Sequence, residues 1–343
     1  MYNINKLKLG DKVAILSPSF AAPAVFPHVH ELGVKRLKEE FGLEAVEFPA
    51  TKKLNASGEE RAKDLIDAFE AEDIKGVIAS IGGDDQVTYI KNLPSEPFVK
   101  NPKPFFGFSD NSHFSNFLWL NNIPSYYGGC LFTQIATPGG IDDLTRKYLN
   151  AAFFESGEVE LDEAEKFSEE DLDWNDPENL KEKLKFEKNE GWLWSGEEDA
   201  QGISWCGCVE SIDDMLRHGT PIPSLSQFED IVLVTETTEE MPDDEYVRRF
   251  FRALGERGIL ERVKGVLVGR AKAWTLDRKL EMPERDSFRE KQREVIEKTV
   301  RHYNKKAPLV QNLDLGHTHP QIPFPCGKNV RIDPKNRKIS VEF

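Results

Sequence analysis

Short apolar runs separated by helix-length stretches constrain the first half of this chain more than anything else in it. Lys12-Val13-Ala14-Ile15-Leu16 reads as a buried strand that ends at Ser17-Pro18-Ser19. A helical stretch follows from about His28 to Phe41, with Leu32, Val34, Leu37 and Phe41 available for its buried stripe. Ala45-Val46-Glu47-Phe48 is the next strand, and Ser57-Gly58-Glu59-Glu60 carries the capping-box pattern of a helix start. Gly76 to Ile81 is a third strand, closed by Gly82-Gly83-Asp84-Asp85. Strands alternating with helices predict an α/β fold with a parallel sheet covered on both faces. Ligands on such sheets bind beyond the carboxyl ends of the strands, where Gly82-Gly83 falls.

Three further apolar runs end in residues that carry chemistry. Pro104-Phe105-Phe106-Gly107-Phe108 ends at Ser109, Ile231 to Thr235 ends at Glu236, and the run from Pro308 through Leu315-Gly316 ends at His317. A hydroxyl, a carboxylate and an imidazole so placed are the parts of a Ser-His-acid hydrolase, which assembles in space in any chain order. Asp110-Asn111-Ser112 starts a helix through Phe114, Phe117 and Leu118, so Ser109 falls at a strand-to-helix turn, over N–H groups that favour negative charge. The segment lacks the second glycine of G-x-S-x-G, and taken alone Ser109 reads more readily as a helix cap than as a nucleophile. Glu236 and His317 have plain alternatives too, a solvated strand end and a surface-loop histidine. Gly82-Gly83-Asp84 has neither G-x-G-x-x-G nor a Walker lysine, which favours a turn lending N–H groups to an oxyanion over a nucleotide site.

Composition narrows the partners. The chain has 343 residues and a formal charge of −15, which would repel nucleic acid and anionic membrane surfaces. Its four cysteines, Cys130, Cys206, Cys208 and Cys326, are too few and too scattered for a disulfide framework or a four-ligand zinc site. His317 and His319 lack the further ligand that a metal needs, so no metal and no cofactor is expected. With no signal-like N-terminus and no apolar run long enough to span a bilayer, the expected location is cytoplasmic. Residues 155–190 are rich in Glu, Asp and Lys and read as a linker or solvated excursion between units at 1–154 and 191–343. The second unit carries strands at 231–235 and 265–269, helices from about Asp243 and near 285–303, and a terminal hairpin of Asn329–Asp333 with Lys338–Phe343. Trp192, Trp194 and Trp205 are expected as core or domain-interface aromatics.

Taken in order, several segments resemble the LD-carboxypeptidase family of serine peptidases, which includes the microcin C self-immunity proteins. They are Leu9-Gly10-Asp11-Lys12-Val13, Ser17-Pro18-Ser19, Ile81-Gly82-Gly83, Gly107-Phe108-Ser109-Asp110, Thr235 to Glu240, Gly316-His317-Thr318-His319-Pro320 and Pro325-Cys326-Gly327. The resemblance implies a Rossmann-like parallel-sheet N-terminal domain, a smaller β-rich α/β C-terminal domain, a homodimer and no metal. It implies a Ser-His-Glu triad of Ser109, His317 and Glu236, with Gly83 and Asp110 N–H groups as oxyanion hole. In that role His317 must be neutral to accept the serine proton.

Where the family has Gly-Gly-Asn this chain reads Cys206-Gly207-Cys208, so Gly82, Gly207 and Cys208 become candidate substrate-binding positions. Glu239, Glu240, Asp243 and Asp244 leave no basic residue there for a substrate carboxylate. The expected reaction is acyl-enzyme cleavage of an amide near the carboxyl end of a small peptide or peptide-nucleotide conjugate. The alternatives are a muropeptide LD-carboxypeptidase and, in another class, a non-catalytic small-molecule binding protein.

Overall fold

The computed structural model describes residues 1–343. Five strands form the parallel part of the first sheet: β1 (Lys12–Leu16), β2 (Glu44–Glu47), β3 (Ile74–Ala79), β4 (Phe105–Gly107) and β5 (Ser125–Tyr127). Their order across the sheet is β5-β4-β3-β1-β2, and every adjacent pair among them is parallel. The strands read as apolar runs because helices cover both faces. The Pro27–Phe41 helix buries Val29, Gly33, Leu37 and Phe41, while Leu32 and Val34 are only partly covered. The Gly58–Glu70 helix opens with both halves of the predicted capping box, Ser57 and Glu60 bonding each other's backbone N–H.

The acidic stretch supplies β6 (Glu158–Glu160) and a two-stranded ribbon of β7 (Lys166–Phe167) with β8 (Glu187–Lys188). Next come β9 (Leu193–Ser195), β10 (Ala200–Cys208), β11 (Ile231–Glu236), β12 (Gly265–Gly269) and β13 (Leu309–Leu313), followed by β14 (Phe324–Cys326), β15 (Asn329–Asp333) and β16 (Lys338–Glu342). The second sheet is mixed, in the order β6-β16-β15-β10-β11-β12-β13-β9. β10 to β13 are parallel, and the antiparallel β9, β15, β16 and β6 flank them. The fold is therefore α/β with mixed sheets in two domains.

Two features tie the halves together. β14 leaves the C-terminal half and pairs antiparallel with β5, completing the first sheet. Trp205, fully buried, donates from Nε1 to Asn116 Oδ1 (3.1 Å), and Trp119 donates back to the Ser204 carbonyl (3.0 Å). Both indoles thus satisfy their single donor across the boundary.

Residues 155–190 form a packed excursion and not a free connector. Phe167 is buried, Trp174 packs edge-on against Phe26 and Phe132, and Ser168 bridges to His319. Glu169, with no exposed side-chain surface, is held by Arg285 at 2.7 Å and by Arg289. Composition suggested solvation, but a buried carboxylate paired to two guanidiniums satisfies its charge inside the protein.

Candidate active site

The two sheets bring Ser109, Glu236 and His317 to one place between the halves. Ser109 follows β4 through the extended residue Phe108 and adopts φ +61°, a left-handed conformation that costs a non-glycine residue about 1–3 kcal/mol. A 3-10 turn, Ser109–Asn111, then leads into the Ser112–Leu120 helix. The turn is held by neutral hydrogen bonds. Asn111 Nδ2 donates to the Ile81 and Phe108 carbonyls, Ser112 Oγ to the Ser109 carbonyl (2.6 Å), and the Ser109 N–H to Tyr127 Oη (3.3 Å). Ser109 is 8% exposed, and its Oγ makes no hydrogen bond within the protein.

Asp110 joins this turn to two neighbouring loops. Its Oδ2 accepts from Ser19 Oγ and from the Gln86 N–H (3.0 Å), and Gln86 Nε2 continues to Asn111 Oδ1 (2.8 Å). Burial pushes the Asp110 carboxyl up to about 6, against the pull of those hydrogen bonds and with help from Asp84 and Asp85. The Gly82-Gly83 loop closes over the serine. A Cβ at Gly82 would sit 2.8 Å from Ser109 Cβ, and Gly83, at φ +143°, would carry one 2.7 Å from Ser19 Cβ. Neither the Gly83 nor the Asp110 N–H has an intramolecular acceptor.

The opposite wall is ionic. Glu236 ends β11 with its side chain fully buried. Its Oε1 accepts from Tyr127 Oη (2.5 Å) and its Oε2 from His317 Nδ1 (2.8 Å). Gly316, at φ +93°, makes room for this carboxylate, since a Cβ there would overlap Glu236 Oε2. His317 Nε2 points to Glu239 Oε2 at 2.8 Å, although the Glu239 side chain is 56% exposed. Burial alone would lower the imidazole; the charges of Glu236 and Glu239 outweigh it and hold the pKa at about 10. His319, two residues on, is pushed down to about 4 by burial and Lys272, and the two histidines are therefore chemically distinct.

Cys208 lies beside the helix that follows Ser109. Its N–H donates to Ser112 Oγ (3.1 Å) and its thiol to Ser211 Oγ (3.0 Å), while Ser211 donates to the Ser109 carbonyl (3.3 Å). Burial, with Glu210 and Glu236 adding, holds the Cys208 thiol well above its ordinary value, so it is no thiolate nucleophile. Gly207 lets β10 approach, since a Cβ there would meet Ser112 Cβ at 3.3 Å. No group of three or more His, Cys, Asp or Glu side chains is arranged to hold a metal ion. No helix is long and apolar enough to cross a membrane.

Residues 13–128 match the LD-carboxypeptidase N-terminal domain, and residues 201–332 match the LD-carboxypeptidase C-terminal domain. The chain belongs to the LD-carboxypeptidase family. It is 22% identical to the microcin C7 self-immunity protein of Escherichia coli, over 98% of this chain and 94% of that one. It is 26% identical to a putative carboxypeptidase of Treponema pallidum, over the same shares. The solved wild-type apo structure of the microcin C7 self-immunity protein superposes with a TM-score of 0.85 at 21% identity, covering 100% of this chain and 99% of the other. Further structures of that protein hold aspartyl sulfamoyl adenosine and glutamyl sulfamoyl guanosine. Family membership makes this chain a serine-hydrolase-type enzyme.

One expectation is corrected. The sequence pointed to a serine peptidase with a Ser-His-Glu triad. In the solved active-site mutant of the microcin immunity protein, the residues replaced are a serine, an asparagine and a lysine, a Ser-Lys-Asn set containing neither histidine nor glutamate. In the present geometry His317 turns Nε2 to Glu239 Oε2 at 2.8 Å and makes no hydrogen bond to Ser109 Oγ.

Tyr127 and Glu239 are functional neighbours that sequence reasoning did not single out. Tyr127 had one local signal, its place immediately before the Gly128-Gly129 pair at the end of β5; Glu239 had none beyond the acidity of its loop.

Proposed function

We propose that this chain is a serine amide hydrolase that cleaves near the carboxyl end of a small peptide or peptide conjugate, with Ser109 as its nucleophile. The observation that carries this reading is the Ser109 turn. A strained serine heads a helix with its Oγ unbonded, beneath two glycines and beside two unengaged N–H groups. In the proposed reaction Ser109 Oγ bonds to the scissile carbonyl carbon, and the Gly83 and Asp110 N–H groups receive the oxyanion. The C–N bond then breaks, the amine departs with the proton that left Ser109, and water hydrolyses the acyl-serine ester. One such oxyanion donor contributes about 3 kcal/mol to the transition state. Glu236 and His317 charge and shape the facing wall. Gly82, Gly207 and Cys208 border the serine and are the proposed substrate-contacting positions.

Peptide-nucleotide conjugates belong in the substrate set because structures of a relative hold aminoacyl sulfamoyl nucleosides. A homodimer is part of the same proposal, and sedimentation at several concentrations checks it. The deciding experiment is labelling with a fluorophosphonate followed by mass spectrometry. The adduct is expected on Ser109 and absent from Ser109→Ala. An unlabelled wild type that nonetheless binds peptide would favour a binding protein instead.

A further inference from the structure

We propose that Tyr127 is a positioning residue that carries the charge of Glu236 to the Ser109 turn, through one hydroxyl that accepts from the Ser109 N–H and donates to the carboxylate. The proposal rests on the reading of Ser109 as the reacting serine and adds the connection by which the ionic wall sets that serine's geometry.

Tyr127 ends β5 and stands opposite Gly107 of β4, the strand that leads into Ser109. From the first sheet its Oη reaches across to β11 of the second, 2.5 Å from Glu236 Oε1. The Ser109 N–H meets the same oxygen at 3.3 Å. One atom therefore touches both walls of the cleft. The residue is 1% exposed, so a substrate in the cleft meets Ser109 and not the phenol.

The count of protons fixes the direction of both bonds. A phenol has one O–H to give, and a carboxylate has none, so the proton goes to Glu236 and the lone pairs of Oη are left for the Ser109 N–H. A hydroxyl that donates to an anion is polarised and becomes a better acceptor. Burial and the adjacent Glu236 keep the phenol protonated, far above its ordinary range.

Ser109 is where such a hold has most effect. At φ +61° the residue is strained, and its carbonyl is bound by Ser112 Oγ (2.6 Å) and Ser211 Oγ (3.3 Å). Its N–H has no backbone acceptor, and Tyr127 Oη is its one hydrogen-bond partner. The plain alternative is a phenol that only fills space, its ring edge-on to Phe108 at 6.1 Å, a contact that phenylalanine would keep.

The test uses the full-length chain and two readouts. Fluorophosphonate labelling rates at Ser109 are compared for the wild type, Tyr127→Phe, Glu236→Gln and the double variant, with folding followed by circular dichroism. Each single change is expected to slow labelling about tenfold, and the double variant to be no slower than Tyr127→Phe. Unslowed labelling of Tyr127→Phe, or single effects that multiply in the double variant, overturns the proposal. The second readout is the Ser109 amide proton by nuclear magnetic resonance, and it needs no change at position 127. In Glu236→Gln that proton is expected to move upfield and to exchange with solvent about tenfold faster, as its acceptor weakens. An unmoved resonance overturns the proposal even if Tyr127→Phe fails to fold. A wild type that takes no label would count against the hydrolase reading alone, and the resonance would still decide the connection.

Discussion

The two walls of the cleft are built from different physics. On the Ser109 side, position is set by backbone conformation and by hydrogen bonds gathered on one carboxyl: a left-handed serine, two glycines, and a network through Ser19, Gln86, Asp110 and Asn111. On the facing side it is set by charge, with one imidazole between two carboxylates and a tyrosine hydroxyl completing the shell of Glu236. The two walls titrate in different places: the Asp110 carboxyl changes charge at about 6, and the His317 imidazole loses its proton only as pH climbs towards 10. The serine wall is thus set mainly by backbone shape, and the ionic wall by charge.

Four experiments sharpen or break that contrast. Ser109→Ala should reduce kcat/KM by about 10³-fold or more while far-UV circular dichroism and Tm stay near wild type, because one unbonded oxygen is removed. A retained rate would dissolve the distinction between the walls. Glu236→Gln should do the reverse on stability, costing about 3 kcal/mol in urea unfolding, since the carboxylate accepts from Tyr127 on one oxygen and from His317 on the other, whereas only one terminal atom of an amide accepts. An unchanged midpoint would show that the ionic wall carries no stability.

Gly83→Ala tests the serine wall by geometry alone. The new methyl would meet Ser19 Cβ at 2.7 Å and a φ of +143° would be imposed on alanine, so a loss of about 10² in kcat with little change in KM is expected. The fourth test concerns pH. His317 is raised from an ordinary 6.5 to about 10, so its contribution to stability is fully present below pH 6.5 and is lost as pH climbs through 10. Unfolding free energy should fall across that window in the wild type and stay flatter in His317→Gln; parallel curves would remove the imidazolium from the account.

The same contrast explains what could be read in the sequence. β1, β3 and β11 were legible because each is a local apolar run, and the Ser57 cap because both of its partners lie within four residues. Ser109 was legible for the same reason, as a strand end before a helix start. The state of His317 was not. Its proton depends on Glu236 and Glu239, which come from another strand and another loop, and on burial that no local pattern encodes. Glu169 misled in the opposite direction. In a stretch read as solvated, its charge is neutralised by Arg285 and Arg289, more than a hundred positions away. β14 escaped because three residues with a central proline carry no strand pattern, and its edge position supplies the pairing.

That short strand also governs the order in which the molecule can be made. β5 is synthesised long before Phe324–Cys326 exists, so through most of translation the nascent first sheet carries a bare edge at Ser125–Tyr127, beside the Ser109 turn. Open edges of this kind invite pairing with other chains. A fragment ending before β14 should therefore be aggregation-prone even with all of β1 to β5 intact. During synthesis the Ser109 turn would become safe from misassembly only after the far half of the chain had folded back across it.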